Sequence, residues 1–125
     1  MVVGCGFGFL VKEFEKLGKQ VLGIDASEWA VTNRVNDHVL LSDILEGPDV
    51  AILGSELGPF GTVITEDLLP YLDDAEVIVT ANNCSVLAPI VTHMVTVQGE
   101  ADLNYHSLAE WMNMTNQLTV SLEGM

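Results

Sequence analysis

The stretch Val2-Val3-Gly4-Cys5-Gly6-Phe7-Gly8 passes from two apolar residues into a turn with a glycine at every second position. Apolar residues then recur at helical spacing between Phe9 and Leu17, and Gly18 can end that helix. A short strand, a glycine turn and a helix in this order are typical of the start of a parallel β-α-β unit. The spacing therefore predicts a strand at residues 1–3 and a helix from Phe9 to Leu17.

The rest of the chain continues this alternation. Further strands are predicted at Gln20–Ile24, His38–Leu41, Thr62–Thr65, Ile90–Val97 and Leu118–Leu122. The helices between them are predicted after the cap Ser27, at Asp49–Leu57 (opened by Pro48), at Asp73–Leu87 and at Ser107–Met114. The residue types of Asp73–Leu87 also suit a strand, but its apolar spacing favours a helix. The pattern predicts a single α/β domain, residues 1–125: a three-layer, Rossmann-like, doubly wound and mostly parallel sheet, shortened at both ends.

The charge balance narrows the classes of partner. Four basic residues stand against 18 acidic ones, which gives a net charge of −14 and a surface that repels nucleic acid. The acids are scattered, which fits either an ordinary acidic protein or a protein adapted to a high-salt cytoplasm, and the scarcity of Lys and Arg favours the second. No signal peptide and no apolar run of ~18 residues is present, so the sequence predicts a cytoplasmic protein without a membrane span.

Chemistry is expected where the strands end, because ligands of open parallel sheets bind beyond the carboxyl ends of the strands. The first strand is followed by the glycine turn from Gly4 to Gly8, the second by Asp25, the third by Asp43 and the fourth by Glu66. Glycines let the backbone approach a ligand closely, and a carboxylate 21 residues after Gly4 can accept hydrogen bonds from both hydroxyls of a ribose.

The stretches VVGCGFG, VLGIDASEWA, LLSDI and VITEDLLPYLDDAE resemble the core of the class I S-adenosylmethionine (SAM)-dependent methyltransferases, over roughly residues 1–97. The resemblance implies a cofactor-binding role for nine residues: Gly4, Cys5, Gly6, Gly8, Asp25, Ala26, Asp43, Ile44 and Thr65. In that family the glycine turn passes beneath the methionine part of SAM. The carboxylate after the second strand holds the ribose, and the pair after the third strand addresses the adenine.

The sequence departs from the family pattern at several points. Val2 stands where the family usually has an acidic residue, so one contact to the methionine amino group is missing. The chain begins almost on the glycine motif, and after the fifth strand there is room for about one strand rather than an antiparallel pair. The dinucleotide-binding fingerprint G-x-G-x-x-G fits less well, because Phe9 stands where that fingerprint has its third glycine.

Two residues are candidates for catalysis. Glu66 could orient or deprotonate a substrate nucleophile, or it could cap the next helix. His106, next to Tyr105, could act as a substrate-facing base, or it could belong to a plain surface loop. Cys5 has the position of a packing residue more than of a nucleophile, and Trp29 is either a hydrophobic anchor or a border of the cofactor pocket. No acidic pair has the spacing of a metal cage, so no metal is predicted.

The sequence favours an enzyme that transfers a methyl group from SAM to a small molecule or a protein. The alternative is a non-catalytic SAM-fold binding module or a structural subunit of a larger assembly, and a homo-oligomer is one way to cover the shortened side of the sheet. A nucleotide-binding oxidoreductase is disfavoured by the glycine spacing.

Overall fold

The computed structural model describes residues 1–95, 103–115 and 120–122. Six strands lie in the described ranges: β1 Val2–Val3, β2 Gly23–Asp25, β3 Val39–Leu41, β4 Thr62–Glu66, β5 Ile90–Val95 and β6 Val120–Leu122. They form one sheet in the order β3-β2-β1-β4-β5-β6, and every neighbouring pair is parallel. The predicted α/β class with a parallel, Rossmann-like sheet is therefore confirmed.

The strands are connected by helices, as parallel pairing requires. These are α1 Phe9–Lys16, α2 Glu28–Thr32, α3 Gly47–Ile52, α4 Asp74–Leu87 and α5 Leu108–Thr115. A π-helical turn, Leu53–Leu57, continues α3, and a 3₁₀ turn, Leu69–Tyr71, comes before α4.

Local capping explains where two of the helices begin. The Ser27 hydroxyl accepts a hydrogen bond from the Ala30 amide at 3.2 Å, which fixes the start of α2 as the sequence predicts. At α4, Asp73 and Glu76 form a reciprocal capping box, with N–O distances of 2.8 and 3.1 Å. This box and the helical spacing of the buried apolar residues make Asp73–Leu87 a helix rather than a strand, which confirms the prediction.

Some predicted boundaries differ from the observed ones. The second strand begins at Gly23 rather than at Gln20, and the single predicted helix at Asp49–Leu57 is an α-helix followed by a π-helical turn. Parts of the predicted fifth and last strands, residues 96–97 and 118–119, lie outside the described residues. In the described ranges, no helix combines the length and the apolar character that crossing a bilayer requires.

The core is divided by the central strand, β1. Val2 and Val3, each 1% exposed, belong to different hydrophobic clusters. Val2 packs with Cys5, Val11 and Val39, under α1. Val3 belongs to the cluster that joins β2, β4 and β5 to α3, its π-helical turn and α4. A third cluster, around Trp111, packs α5 against α4 and β5.

Gly23 is the point of closest approach between α1 and the sheet. A Cβ atom at this position would lie 2.6 Å from Val11 Cγ2 and 2.8 Å from Cys5 Sγ. Both distances are shorter than the contacts that real Cβ atoms make, so a larger residue would have to displace α1 or the turn before it.

We therefore expect Gly23→Ala to lower the free energy of unfolding by about 1–3 kcal/mol, because the added methyl group overpacks the α1–β2 contact. Urea unfolding followed by circular dichroism measures the change. The control is Gly47→Ala at the start of α3, where a Cβ atom would meet nothing within 4 Å. Equal stability of the two variants would show that α1 does not pack tightly against β2.

Candidate functional site

The predicted site residues of four strands meet at one edge of the sheet, which we call the carboxyl edge. It is formed by the carboxyl ends of β3, β2, β1 and β4, which are neighbours in this order. The parallel register pairs Val3 with both Ile24 and Thr65, so the residues that follow these strands are brought side by side. The glycine turn, Asp25, Asp43 and Glu66 all belong to this edge.

The glycine turn has a backbone conformation that depends on its glycines. Gly4, Gly6 and Gly8 have φ angles of +72°, +58° and +91°, which residues other than glycine rarely adopt. Gly8 is also packed closely, since a Cβ atom there would lie 2.4 Å from Val39 Cγ2 on β3. Gly8 is the N-cap of α1, and no side chain caps the helix.

Asp25 ties this turn to the second strand. Its Oδ2 accepts a hydrogen bond from the Gly6 amide at 2.9 Å, and its Oδ1 accepts one from the Ser27 amide at 2.8 Å. A carboxylate offers about four lone-pair positions, so each oxygen can accept one more hydrogen bond. Asp25 therefore shapes the turn and still has acceptor capacity for two hydroxyl groups.

A hollow of 180 Å³ lies beside Asp25. Its lining includes five of the predicted cofactor residues: Gly4, Asp25, Ala26, Asp43 and Ile44. The hollow also has an apolar wall, formed by Leu45, Leu68 and Leu72. The sequence pattern did not indicate this wall, because Leu68 and Leu72 come from the segment after β4. Ligand pockets usually measure about 300–1,000 Å³, so this hollow suits one flat part of a ligand and not a whole cofactor.

The loop after β3 is fixed by a second carboxylate. Asp49 Oδ2 accepts hydrogen bonds from the Asp43 amide at 2.8 Å and from the Ser42 hydroxyl at 3.3 Å. Asp43 Oδ1 in turn accepts one from the Leu45 amide at 3.0 Å, and the side chain of Asn83 donates to the Ile44 carbonyl at 2.7 Å. Asp49 and Asn83 support this loop, and no sequence pattern indicated them, because they lie on helices away from the strand ends.

Glu66 has a carboxylate oxygen without a partner. The side chain is half-buried, and its Oε2 atom is shielded from solvent and makes no hydrogen bond in the described part of the chain. Burial raises the pKa of the Glu66 carboxyl, and the neighbouring charge of Asp67 raises it further. A buried acceptor without a donor is costly, so a group that donates a hydrogen bond or carries positive charge would stabilise this oxygen.

Thr65 precedes Glu66 and therefore points to the opposite face of β4. It is fully buried, and its Oγ1 lies 2.7 Å from His93 Nδ1 on β5. The Thr65 side chain, which the sequence predicts to contact a cofactor, is therefore paired with His93 inside the core. His93 has the structural position that its place within a strand indicates.

His106 lies in a different cluster, between α4 and α5. Its Nε2 is 2.8 Å from Asp74 Oδ1 and its Nδ1 is 3.2 Å from Glu110 Oε2, while its ring packs edge-on against Trp111 at 4.8 Å. The side chain of Asn104 donates to the same Asp74 oxygen at 2.8 Å. These contacts occupy both ring nitrogens, and they connect His106 to helix termini rather than to Glu66.

The two cysteines are both buried. Burial raises the pKa of the Cys5 thiol to about 12, and the charges of Asp25 and Glu66 contribute to the shift. Burial alone raises the pKa of Cys84 to about 12. Because the thiolate is the reactive form, neither cysteine is suited to act as a nucleophile near neutral pH.

Two larger hollows are present besides the one at Asp25, and the smaller of these two shares Leu72 with it. One of 750 Å³ opens at the amino ends of the strands, between Phe14, Phe60 and Ile64, and one of 490 Å³ lies beside Asp74 and Asn104. Neither contains the glycine turn or the carboxylates that follow the strands. Among the residues that the structure describes, no group of three or more His, Cys, Asp or Glu side chains could hold a metal ion.

No protein-family model, no curated protein and no solved structure matches this chain significantly. The geometry of the carboxyl edge is therefore the basis for assigning a function.

The high thiol pKa values predict that the folded protein reacts very slowly with Ellman's reagent at pH 8, because almost no thiolate is present and both sulfurs are covered. In denaturant, two thiols per chain should react rapidly. The absorbance of the released thionitrobenzoate measures both rates. One rapid equivalent from the folded protein, lost in Cys5→Ser, would instead identify Cys5 as an activated nucleophile.

The His106 contacts predict a pH-dependent contribution to stability. Burial of the ring lowers the pKa of His106, but the hydrogen bonds with Asp74 and Glu110 outweigh this effect and raise the pKa above its usual value near 6.5. The stabilisation is therefore complete below about pH 6.5 and is lost as the pH rises through the folded-state pKa. It is also lost in acid, where the two carboxyls, whose own pKa values are lowered, become protonated.

We expect the stability difference between the wild type and His106→Asn to be largest near pH 5.5–6.5 and to shrink toward pH 9, as measured by urea unfolding across this range. A difference that does not depend on pH would mean that the charged form of His106 makes no net contribution.

Proposed function

We propose that this protein binds SAM at the carboxyl edge and transfers its methyl group to a small-molecule or protein acceptor. The observation that carries the proposal is the hydrogen bond from the Gly6 amide to Asp25, beside the hollow that contains Asp43 and Ile44. This hydrogen bond connects the glycine turn to a carboxylate with remaining acceptor capacity, and a small, largely apolar hollow lies beside that carboxylate. These are the three features that a nucleoside with an attached charged chain requires.

The residues present fit the parts of the proposed cofactor. Asp25 can accept the two ribose hydroxyls on the lone pairs that the Gly6 and Ser27 amides leave free. The hollow lined by Ile44 and Leu68 suits the adenine ring, and Asp43 lies where a carboxylate could accept a hydrogen bond from the adenine amino group. The turn from Gly4 to Gly8 offers backbone rather than side chains to the methionine part.

The strand order is shared by dinucleotide-binding folds, so the topology alone does not separate the two cofactors. The glycine spacing supports SAM, because Phe9 occupies the place of the third fingerprint glycine. The separate packing of Val2 and Val3 supports a doubly wound, three-layer arrangement, with α1 and α4 on opposite faces of the sheet.

The chemistry of the transfer would need little from the protein beyond orientation. SAM, when bound, supplies an electrophilic methyl group. Glu66 would then hold the acceptor through its unpartnered Oε2 and take up the proton that the acceptor nucleophile loses. The raised pKa of the Glu66 carboxyl suits it to taking up this proton, because a carboxylate whose acid form has a pKa closer to neutrality is a stronger base.

The contacts of His106 do not support a role as the base, since both ring nitrogens already face carboxylates.

A non-catalytic SAM-binding subunit is the second candidate. It is favoured by the same cofactor residues together with the missing acidic residue at Val2. Methyl transfer to any acceptor separates the two.

The test is calorimetric titration of the purified protein with SAM and with S-adenosylhomocysteine, at low and at multimolar KCl. We expect micromolar binding that falls at least tenfold in Asp25→Ala and in Asp43→Ala. Glu66→Gln should leave this binding nearly unchanged and reduce the rate of methyl transfer to an acceptor found by screening with radiolabelled SAM.

The matched control is Asp37→Ala, which removes an exposed carboxylate outside the carboxyl edge. Circular dichroism shows whether each variant is folded, which matters for Asp25 because its carboxylate also holds the turn. Absence of binding to a folded wild-type protein at both salt concentrations would refute the SAM assignment.

A further inference from the structure

Three aromatic side chains form an exposed group beside the glycine turn, which we call the aromatic surface: Phe7, Phe9 and Trp29. The Phe7 ring lies 5.1 Å from Trp29 and 6.4 Å from Phe9, in edge-to-face geometry in both cases. Trp29 is 68% exposed and Phe9 is 60% exposed. Phe7 is half-buried and joins the other two.

This exposure is unusual for such residues, because large aromatic side chains contribute most when they are buried. The chain buries its other tryptophan, Trp111, almost completely. The aromatic surface also has a defined position. Phe7 and Phe9 stand within and just after the glycine turn, and Trp29 stands in α2, which begins three residues after Asp25.

Acidic residues are close in the sequence to these rings. Asp25 and the exposed Glu28 come shortly before Trp29 in the sequence, and the chain as a whole has a net charge of −14. In the described residues, no lysine or arginine lies over the three rings. The guanidinium of Arg34 donates to the Val31 carbonyl at 2.9 Å, and Lys16 pairs with Glu13 at 3.0 Å. The ring faces are therefore open to an external cation.

We propose that the aromatic surface binds an alkylammonium group of a ligand. Aromatic faces attract such cations through their quadrupole, and neighbouring carboxylates and a negative net charge raise the local concentration of cations. The surface adjoins the carboxyl edge, so the group it binds would belong to the methyl acceptor. This last assignment rests on the proposed function, whereas the binding of the cation does not.

The probe is choline, compared with its neutral isostere 3,3-dimethylbutan-1-ol, in the absence of SAM and at low ionic strength. Tryptophan fluorescence reports binding, because Trp29 is exposed while Trp111 is only 1% exposed. We expect a saturable change with choline and binding about two- to fivefold tighter than that of the isostere. Sodium chloride at equal ionic strength should produce no saturable change.

Variants test whether choline binds at the aromatic surface. Phe9→Ala should weaken choline binding about threefold, because it removes one face of the surface. Val86→Ala, which truncates a side chain that is 77% exposed on α4, should leave it unchanged. Isothermal titration of Trp29→Ala with choline replaces the fluorescence readout, and the same loss of binding is expected there.

Equal binding of choline and its isostere, or no saturable response to either, would overturn the inference. It would also be overturned if sedimentation shows a dimer that Trp29→Ala converts to a monomer, because the surface would then be a contact between two copies of the chain. SAM titration separates the two proposals. Cofactor binding without a choline response refutes only the aromatic surface, and the reverse result refutes only the SAM assignment.

Discussion

The two residues of β1 hold the layers of this molecule together. Val2 and Val3 stand in the middle of the sheet, between β2 and β4, and they point to opposite faces. Burying a valine side chain contributes about 1.5–3 kcal/mol, so each residue stabilises the hydrophobic cluster to which it belongs. Because β1 has only two residues, the glycine turn begins directly beside the core. The packing of Val2 and Val3 therefore sets the position of this turn.

The carboxyl edge follows from that constraint. Because β1 is only two residues long, the chain turns immediately after it, and three glycines with positive φ angles make this turn possible. The Gly6 amide then meets Asp25 at the end of the neighbouring strand. Glu66 and Asp43 arrive at the same edge because all four strands are parallel. The edge thus collects carboxylates that no basic side chain of the described residues neutralises, which suits a ligand that carries positive charge and hydroxyl donors.

The second half of the chain is held by polar contacts as well as by apolar packing. His106 connects Asp74 at the start of α4 with Glu110 in α5, and its ring covers Trp111. On β4 and β5, Thr65 and His93 form a buried polar pair, which requires its partners to stay in register. Both contacts join residues that are distant in the sequence, and both use side chains that a search for catalytic groups would select.

The sequence by itself determined the alternation of strands and helices, the parallel class of the sheet and the residues that end β1 to β4. These features depend on local periodicity, on capping residues such as Ser27 and Asp73, and on the rule that parallel strands place their ends at one edge. Tertiary structure alone decided the contacts of Thr65, His106 and Glu66. Whether a polar side chain is engaged or free depends on partners 28 or more residues away, as for Thr65 with His93 and His106 with Asp74. No local pattern records those contacts, so the sequence could nominate these residues but could not tell a buried pair from an open site.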